Sequence, residues 1–263
     1  MGKAVEHFVA QSYLRRFTFD GDHLYAFEKS TSRVFPANVR NIAAEHNFFG
    51  DEIDARFSGI DSEQPFWLDL LIENVEQGTP NPLTDEMKRV ISGLASLQGH
   101  RTRESRRVLL DIAKKEPQER EAVLRDGEAA YHLGRFTWER FGYVREAINN
   151  CYWVIYKNSF AGYPFVTSDN PVILEGEHTL DDHSRLDMIW PVSPRVLIYA
   201  MSRATHKNFP KEFDIQEVVK VNSWQAQNCH RFVFSPIDSF DYVRKFLEDN
   251  PNLKDPIRDR SLE

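Results

Sequence analysis

The spacing of apolar residues changes character along the chain, helical through the middle and strand-like in the second half. Residues 7–17 mix apolar and polar positions without a clean period. After an Asp20-Gly21-Asp22 turn, residues 23–28 read as a strand. Arg33-Val34-Phe35 returns as its hairpin partner around Ser30-Thr31-Ser32, and Pro36 is expected to stop it. Asn38 is a good N-cap for a short helix reaching about Glu45. Ser62 or Asp61 caps the next predicted helix, which carries Phe66, Leu70, Leu71 and Val75 on one face and ends at Gly78. Thr84 starts the strongest helix, with Asp85 and Glu86 in the first turn where the dipole favours acids. Met87, Val90, Ile91, Leu94 and Leu97 recur along it at helical spacing, and it is expected to run to Lys115. Two more helices are expected near 118–126 and 137–150.

Beyond residue 150 short apolar runs take over. Strands are expected at 152–156, 165–167, 188–190, 196–200 and 231–234, with helices at 212–227 and 240–247. Segregated helices and strands predict an α+β fold: an N-terminal β-hairpin, a helical middle with one long helix, and a C-terminal mixed sheet with flanking helices. The expected organisation is a single domain over residues 1–250, with a helical subregion at about 61–150, then a charged tail at 251–263.

Composition narrows the functional classes. Hydrophobic residues make up 41% and charged residues 28%, and 19 phenylalanines favour a packed core over disorder. The net charge of -7 argues against a general nucleic-acid coat, so any such contact needs a local basic patch. Cys151 and Cys229 are too few for a disulfide framework and are expected to be reduced and buried. Met1 to His7 holds no apolar run of signal-peptide length, and no stretch approaches the roughly 20 apolar residues of a membrane span. The expectation is a cytoplasmic protein without a membrane partner. Gly-rich phosphate loops, His-Glu-x-x-His and Gly-x-Ser-x-Gly do not occur.

Five polar clusters are candidates for chemistry. His7, Gln11, Tyr13, Arg15 and Arg16 combine a group that titrates near neutrality with forked donors for phosphate or carboxylate. They also fit an ordinary polar edge. Arg40, Glu45, His46, Asn47 and Asp51 pair acids with a histidine, as in a metal site, a general base or a solvated helix end. Gln98, His100, Arg101, Arg103, Arg106 and Arg107 form the most basic stretch. On one helix His100, Arg103 and Arg107 share a face that suits phosphate. Thr167-Ser168-Asp169-Asn170-Pro171 ends a strand with short polar groups at a sheet rim, where sites and simple turns are both common. Glu175, His178, Asp181, Asp182 and His183 have metal-binding side chains without a metal-binding spacing.

Taken in order, these segments look familiar. His7-x-x-x-Gln11-x-Tyr13-Leu14-Arg15-Arg16-Phe17, the run Asn38-Val39-Arg40-Asn41-Ile42-Ala43-Ala44-Glu45 with Phe48-Phe49, Arg101, and Thr167-Ser168-Asp169-Asn170-Pro171-Val172 resemble domain of unknown function 4238. Pro191-Val192-Ser193-Pro194, Val221-Asn222 and Ser235 also match its layout, so the resemblance spans His7 to about Ser235. Ala10 stands where that family commonly has proline. The resemblance implies a bacterial-type, mostly one-domain protein and no particular activity. It also implies that His7, Gln11, Arg16, Arg40, Glu45, Arg101 and Asp169 share one site.

The leading expectation is a nuclease-like or other phosphodiester- or nucleotide-acting effector, in antiviral defence or as a toxin. In it His7, Glu45 and Asp169 are catalytic, with Mg²⁺ or Mn²⁺ as the candidate ion. Gln11, Tyr13, Arg16, Arg40, Arg101, Ser168 and Asn170 hold the substrate. The rivals are a non-catalytic module that recognises an anionic ligand, nucleic acid or protein, and an inhibitor or immunity-type protein.

Overall fold

The computed structural model describes residues 5–46, 48, 51–126, 138–160, 162–175, 186–202 and 213–254. The first elements are β1 (Val5–His7), α1 (Gln11–Leu14) with a 3-10 turn at Arg15–Phe17, β2 (His23–Glu28), β3 (Arg33–Asn38) and β4 (Ala44–His46). The helical middle comprises α2 (Asp51–Glu76), α3 (Asp85–His100), α4 (Arg103–Lys115), α5 (Pro117–Asp126) and α6 (Trp138–Asn150). The remainder is β5 (Tyr152–Lys157), β6 (Thr167–Ser168), β7 (Ile173–Glu175), β8 (Asp187–Pro191), β9 (Val196–Met201), α7 (Ile215–Asn228), β10 (Phe232–Ser235), α8 (Asp241–Asp249) and a last 3-10 turn at Pro251–Leu253. The fold is α+β. Glu175 is described, but His178, Asp181, Asp182 and His183 lie outside the described residues.

The strands form three antiparallel sheets. One pairs β1 with β4, one runs β3-β2-β10-β6, and one runs β5-β9-β8-β7. The C-terminal strands therefore split between two sheets, and the N-terminal hairpin is completed by β10, in register Phe232↔Glu28 to Ser235↔Tyr25. Period-2 alternation explains why both faces are dry. Leu24, Ala26 and Phe234 enter the main core, whereas Phe27 and Val233 face α7 and α8. Likewise Met188, Trp190, Val196, Ile198 and Ala200 enter the main core while Ile189 and Leu197 pack with Val218 and Val221 of α7.

Several local expectations fail for identifiable reasons. Pro36 sits inside β3, an edge strand where a missing N–H breaks no ladder. Asn38 caps no helix; its Oδ1 accepts the Arg40 N–H at 2.9 Å in a turn that leads to β4. Ser62 lies within α2, its hydroxyl donating back to the Gly59 carbonyl at 2.6 Å. The helix expected to reach Lys115 unbroken divides at Thr102, which is extended and whose Oγ1 accepts the Ser105 N–H at 3.2 Å. Residues 98–107 carry no hydrophobic side chain, so periodicity is silent there and only the cap chemistry marks the break. Among the described residues the longest helix is α2, with Pro65 inside it.

Candidate functional site

A cleft of about 460 Å³ opens between β3, the turn into β4, the start of α4 and the β6–β10 edge. Its walls carry two arrangements of one kind. On one side the Arg103 guanidinium lies 5.3 Å from the Phe8 ring centre and bonds Glu45 Oε2 through Nε at 3.0 Å. On the other, the Arg231 guanidinium lies 4.6 Å from the Phe232 ring and bonds Glu28 Oε1 through Nε at 2.9 Å and a terminal nitrogen at 2.6 Å. Each arginine is thus stacked on a phenylalanine and held by a glutamate, which orients its remaining donors. Both stay partly exposed, with Arg231 52% accessible at its side chain.

Packing dictates these positions. Phe35 of β3 and Phe232 of β10 meet edge to face at 6.0 Å across β2, where Phe35 pairs with the small Ala26 and Phe232 with Glu28. Ala43, on the opposite rim, adopts φ 53°, a left-handed conformation costly for any residue with a Cβ. Its carbonyl accepts the Phe8 N–H at 3.1 Å and the Val9 N–H at 3.4 Å, which holds the rim against β1.

Asp169 reaches the cleft but is occupied. Its carboxylate accepts the N–H of His230 at 2.8 Å on one oxygen, and those of Arg231 at 2.8 Å and Phe232 at 3.0 Å on the other. It is 2% exposed. Burial pushes its pKa above the ordinary carboxylate range, opposed by the neighbouring His230 and the three N–H donors. Asp169 therefore fixes the backbone that presents Arg231 and Phe232. Glu28 is held below its usual range, first by the Thr31 hydroxyl at 2.7 Å and then by Arg231. Burial lowers the pKa of His230, and its Nδ1 is buried without a hydrogen-bond partner among the described residues.

The other expected site residues scatter. His7 contacts the Arg40 carbonyl through Nε2 at 3.1 Å and Gln11 through Nδ1 at 3.4 Å, just outside the cleft. Arg40 itself is exposed. Arg16 is pinned to α2 by Asp69 at 2.7 Å and the Pro65 carbonyl at 3.2 Å, and also donates to the Ser12 carbonyl at 2.9 Å. Tyr13 is wholly buried, its hydroxyl at 2.5 Å from the Pro191 carbonyl and 2.6 Å from Thr167 Oγ1. Arg101 is also buried and donates to Gln98 Oε1 at 2.7 Å, while Gln98 Nε2 donates to the Phe8 carbonyl at 2.9 Å. Ser168 donates to Gln225 at 2.7 Å, and Asn170 to the Asn228 carbonyl at 3.0 Å. These side chains tie segments together.

The expected basic face is also broken up. His100 bonds the Ser96 carbonyl at 2.7 Å, and Arg107 is flanked by Glu104 and Asp111, each at 2.7 Å. Of that set only Arg103 lines the cleft. Among the described residues no group of three metal-ligating side chains occurs. Nor is any helix among them long and apolar enough to cross a membrane. Both cysteines are free and buried, with burial pushing each thiol up to about 12. The residues missed in the sequence are Phe8, Phe35, His230, Arg231 and Phe232, which no motif marks.

Fold and site together define an α+β protein with an arginine–phenylalanine cleft. The chain belongs to the family described as Protein of unknown function (DUF4238), whose model matches residues 6–239. Neither a curated protein nor a solved structure matches it.

Proposed function

We propose that this protein is a recognition module for a nucleotide-class ligand, one that joins an anionic phosphate to a planar aromatic base. The observation that carries this reading is the pair of Phe–Arg–Glu arrangements facing one cleft. Guanidinium groups suit phosphate oxygens, and the partly exposed Phe35 and Phe232 supply rings for a flat partner. A cleft of about 460 Å³ is sized for a small ligand. Calorimetric titration of the purified protein with nucleosides, nucleoside monophosphates and inorganic phosphate tests it. Monophosphate binding lost in R103A and R231A is expected, and no binding by the unaltered protein overturns it.

A second reading keeps phosphodiester hydrolysis, as in a nuclease-like effector of defence or toxicity. Its support is His230, an imidazole whose pKa burial lowers, beside Asp169 and next to Arg231 in the lining of the smaller hollow. In this reading His230 replaces His7 as the group that moves a proton. Turnover of RNA, DNA or nucleotides, assayed with and without Mg²⁺ or Mn²⁺ and abolished in H230Q, is its expected signature. Absence of turnover removes it.

A further inference from the structure

Arg231 lines two hollows. Beyond the cleft it borders a smaller one of about 200 Å³, with Glu28, Lys29, Ser30, His230 and Lys254. Among its described residues the charges do not balance. Lys29 is 1% exposed, and its ammonium donates only to neutral carbonyls, Cys229 at 3.0 Å and Gln227 at 3.3 Å. Among the described residues neither Lys29 nor Lys254 has a carboxylate within ion-pair distance. The one acid among the described lining residues, Glu28, is already engaged by Arg231 and Thr31. A buried ammonium without a counter-charge is costly, and a bound anion would offset that cost. The ring of His230, with its unpartnered Nδ1, completes the lining.

We infer that this hollow is the subsite for a second phosphate, so that the ligand is a nucleoside di- or triphosphate. The inference rests on the nucleotide reading of the cleft. The base lies against Phe35 and Phe232, the first phosphate meets Arg231, and the next passes over that guanidinium toward Lys29 and Lys254. One shared arginine joins the two hollows, as adjacent phosphates on one chain require. A small polyphosphate fits better than a nucleic-acid strand, because a net charge of -7 repels an extended polyanion beyond the local cations.

Calorimetric titration with a nucleoside and its mono-, di- and triphosphates tests the inference on the unaltered protein and K254A. Lys254 sits near the end of the described chain, after the last 3-10 turn, where its loss leaves the core intact. The diphosphate is expected to bind roughly tenfold more tightly than the monophosphate, the scale of one added charge-assisted contact. K254A is expected to remove most of that gain and to leave nucleoside and monophosphate affinity unchanged. Monophosphate binding with no gain for the diphosphate overturns the subsite while leaving the cleft reading intact. An equal loss for every ligand in K254A overturns it too, as does a single-stranded oligonucleotide that outbinds the diphosphate. Failure of every nucleotide to bind overturns cleft and subsite together.

Discussion

Asp169 holds Arg231 by its backbone, accepting the arginine's amide N–H at 2.8 Å while leaving its guanidinium to the cleft. Charged acceptors of this kind contribute about 1.5–3 kcal/mol per bond, and removing one strands buried donors. D169N keeps the shape but turns an NH₂ toward donors. It is expected to cost about 2–4 kcal/mol in denaturant unfolding. Ligand affinity should fall with it, because the segment carrying Arg231 and Phe232 loses its anchor. A D169N protein of unaltered stability would show that these bonds do not organise the site.

Arg103 and Arg231 should behave in the opposite way. Their ion pairs with Glu45 and Glu28 are partly solvated, so R103A and R231A are each expected to cost only about 0–1 kcal/mol of stability. Phosphate-ligand affinity should drop by roughly tenfold or more for each. Thermal unfolding and calorimetric titration on the same preparations separate the two effects.

Tyr13 is a structural tie between α1, β6 and the end of β8. Its hydroxyl bonds Thr167 and the Pro191 carbonyl with no exposed surface, and burial pushes its pKa well above the usual phenol range. Y13F leaves both partners buried and unmatched. A loss of about 1–3 kcal/mol is expected, with ligand affinity per folded molecule unchanged. An affinity loss without a stability loss would place Tyr13 in the site after all.

Glu28 makes the stability depend on acidity. Thr31 and Arg231 hold its folded pKa below the ordinary 4.5. The unfolded chain then binds a proton more readily, so this contribution is fully present above about pH 4.5 and is lost as pH falls through the lower folded value. The stability gap between the unaltered protein and E28Q should be largest near pH 6 and close on acidification. A gap that stays constant from pH 6 to pH 3 would deny the linkage.

The polar motifs that stand out along the chain turn out to be mostly connectors. Tyr13, Thr167 and Pro191 meet in the core, Arg101 and Gln98 brace Phe8 from behind, and Ser168 and Asn170 bind α7. A buried hydroxyl or guanidinium must be hydrogen-bonded. A chain that folds from distant segments therefore needs particular polar residues at particular places, and such a set is hard to tell from a catalytic one by residue type. Asp169 shows the overlap best: it was legible as a candidate, and it does line the cleft, but as the residue that positions Arg231.

By itself the sequence determined the α+β class and nearly every strand and helix of the second half, because period-2 and period-3.6 patterning are local properties of the chain. It also marked Thr84 as a helix cap, confirmed by the Met87 N–H on its hydroxyl at 3.2 Å. Only the tertiary structure decided that β10 closes the N-terminal hairpin, that the helix breaks at Thr102, and that Phe8 with Arg103 faces Phe232 with Arg231. The sheet closure and the facing of Phe8 with Phe232 join residues more than two hundred positions apart. They depend on which buried faces pack together, and no spacing along the chain encodes that.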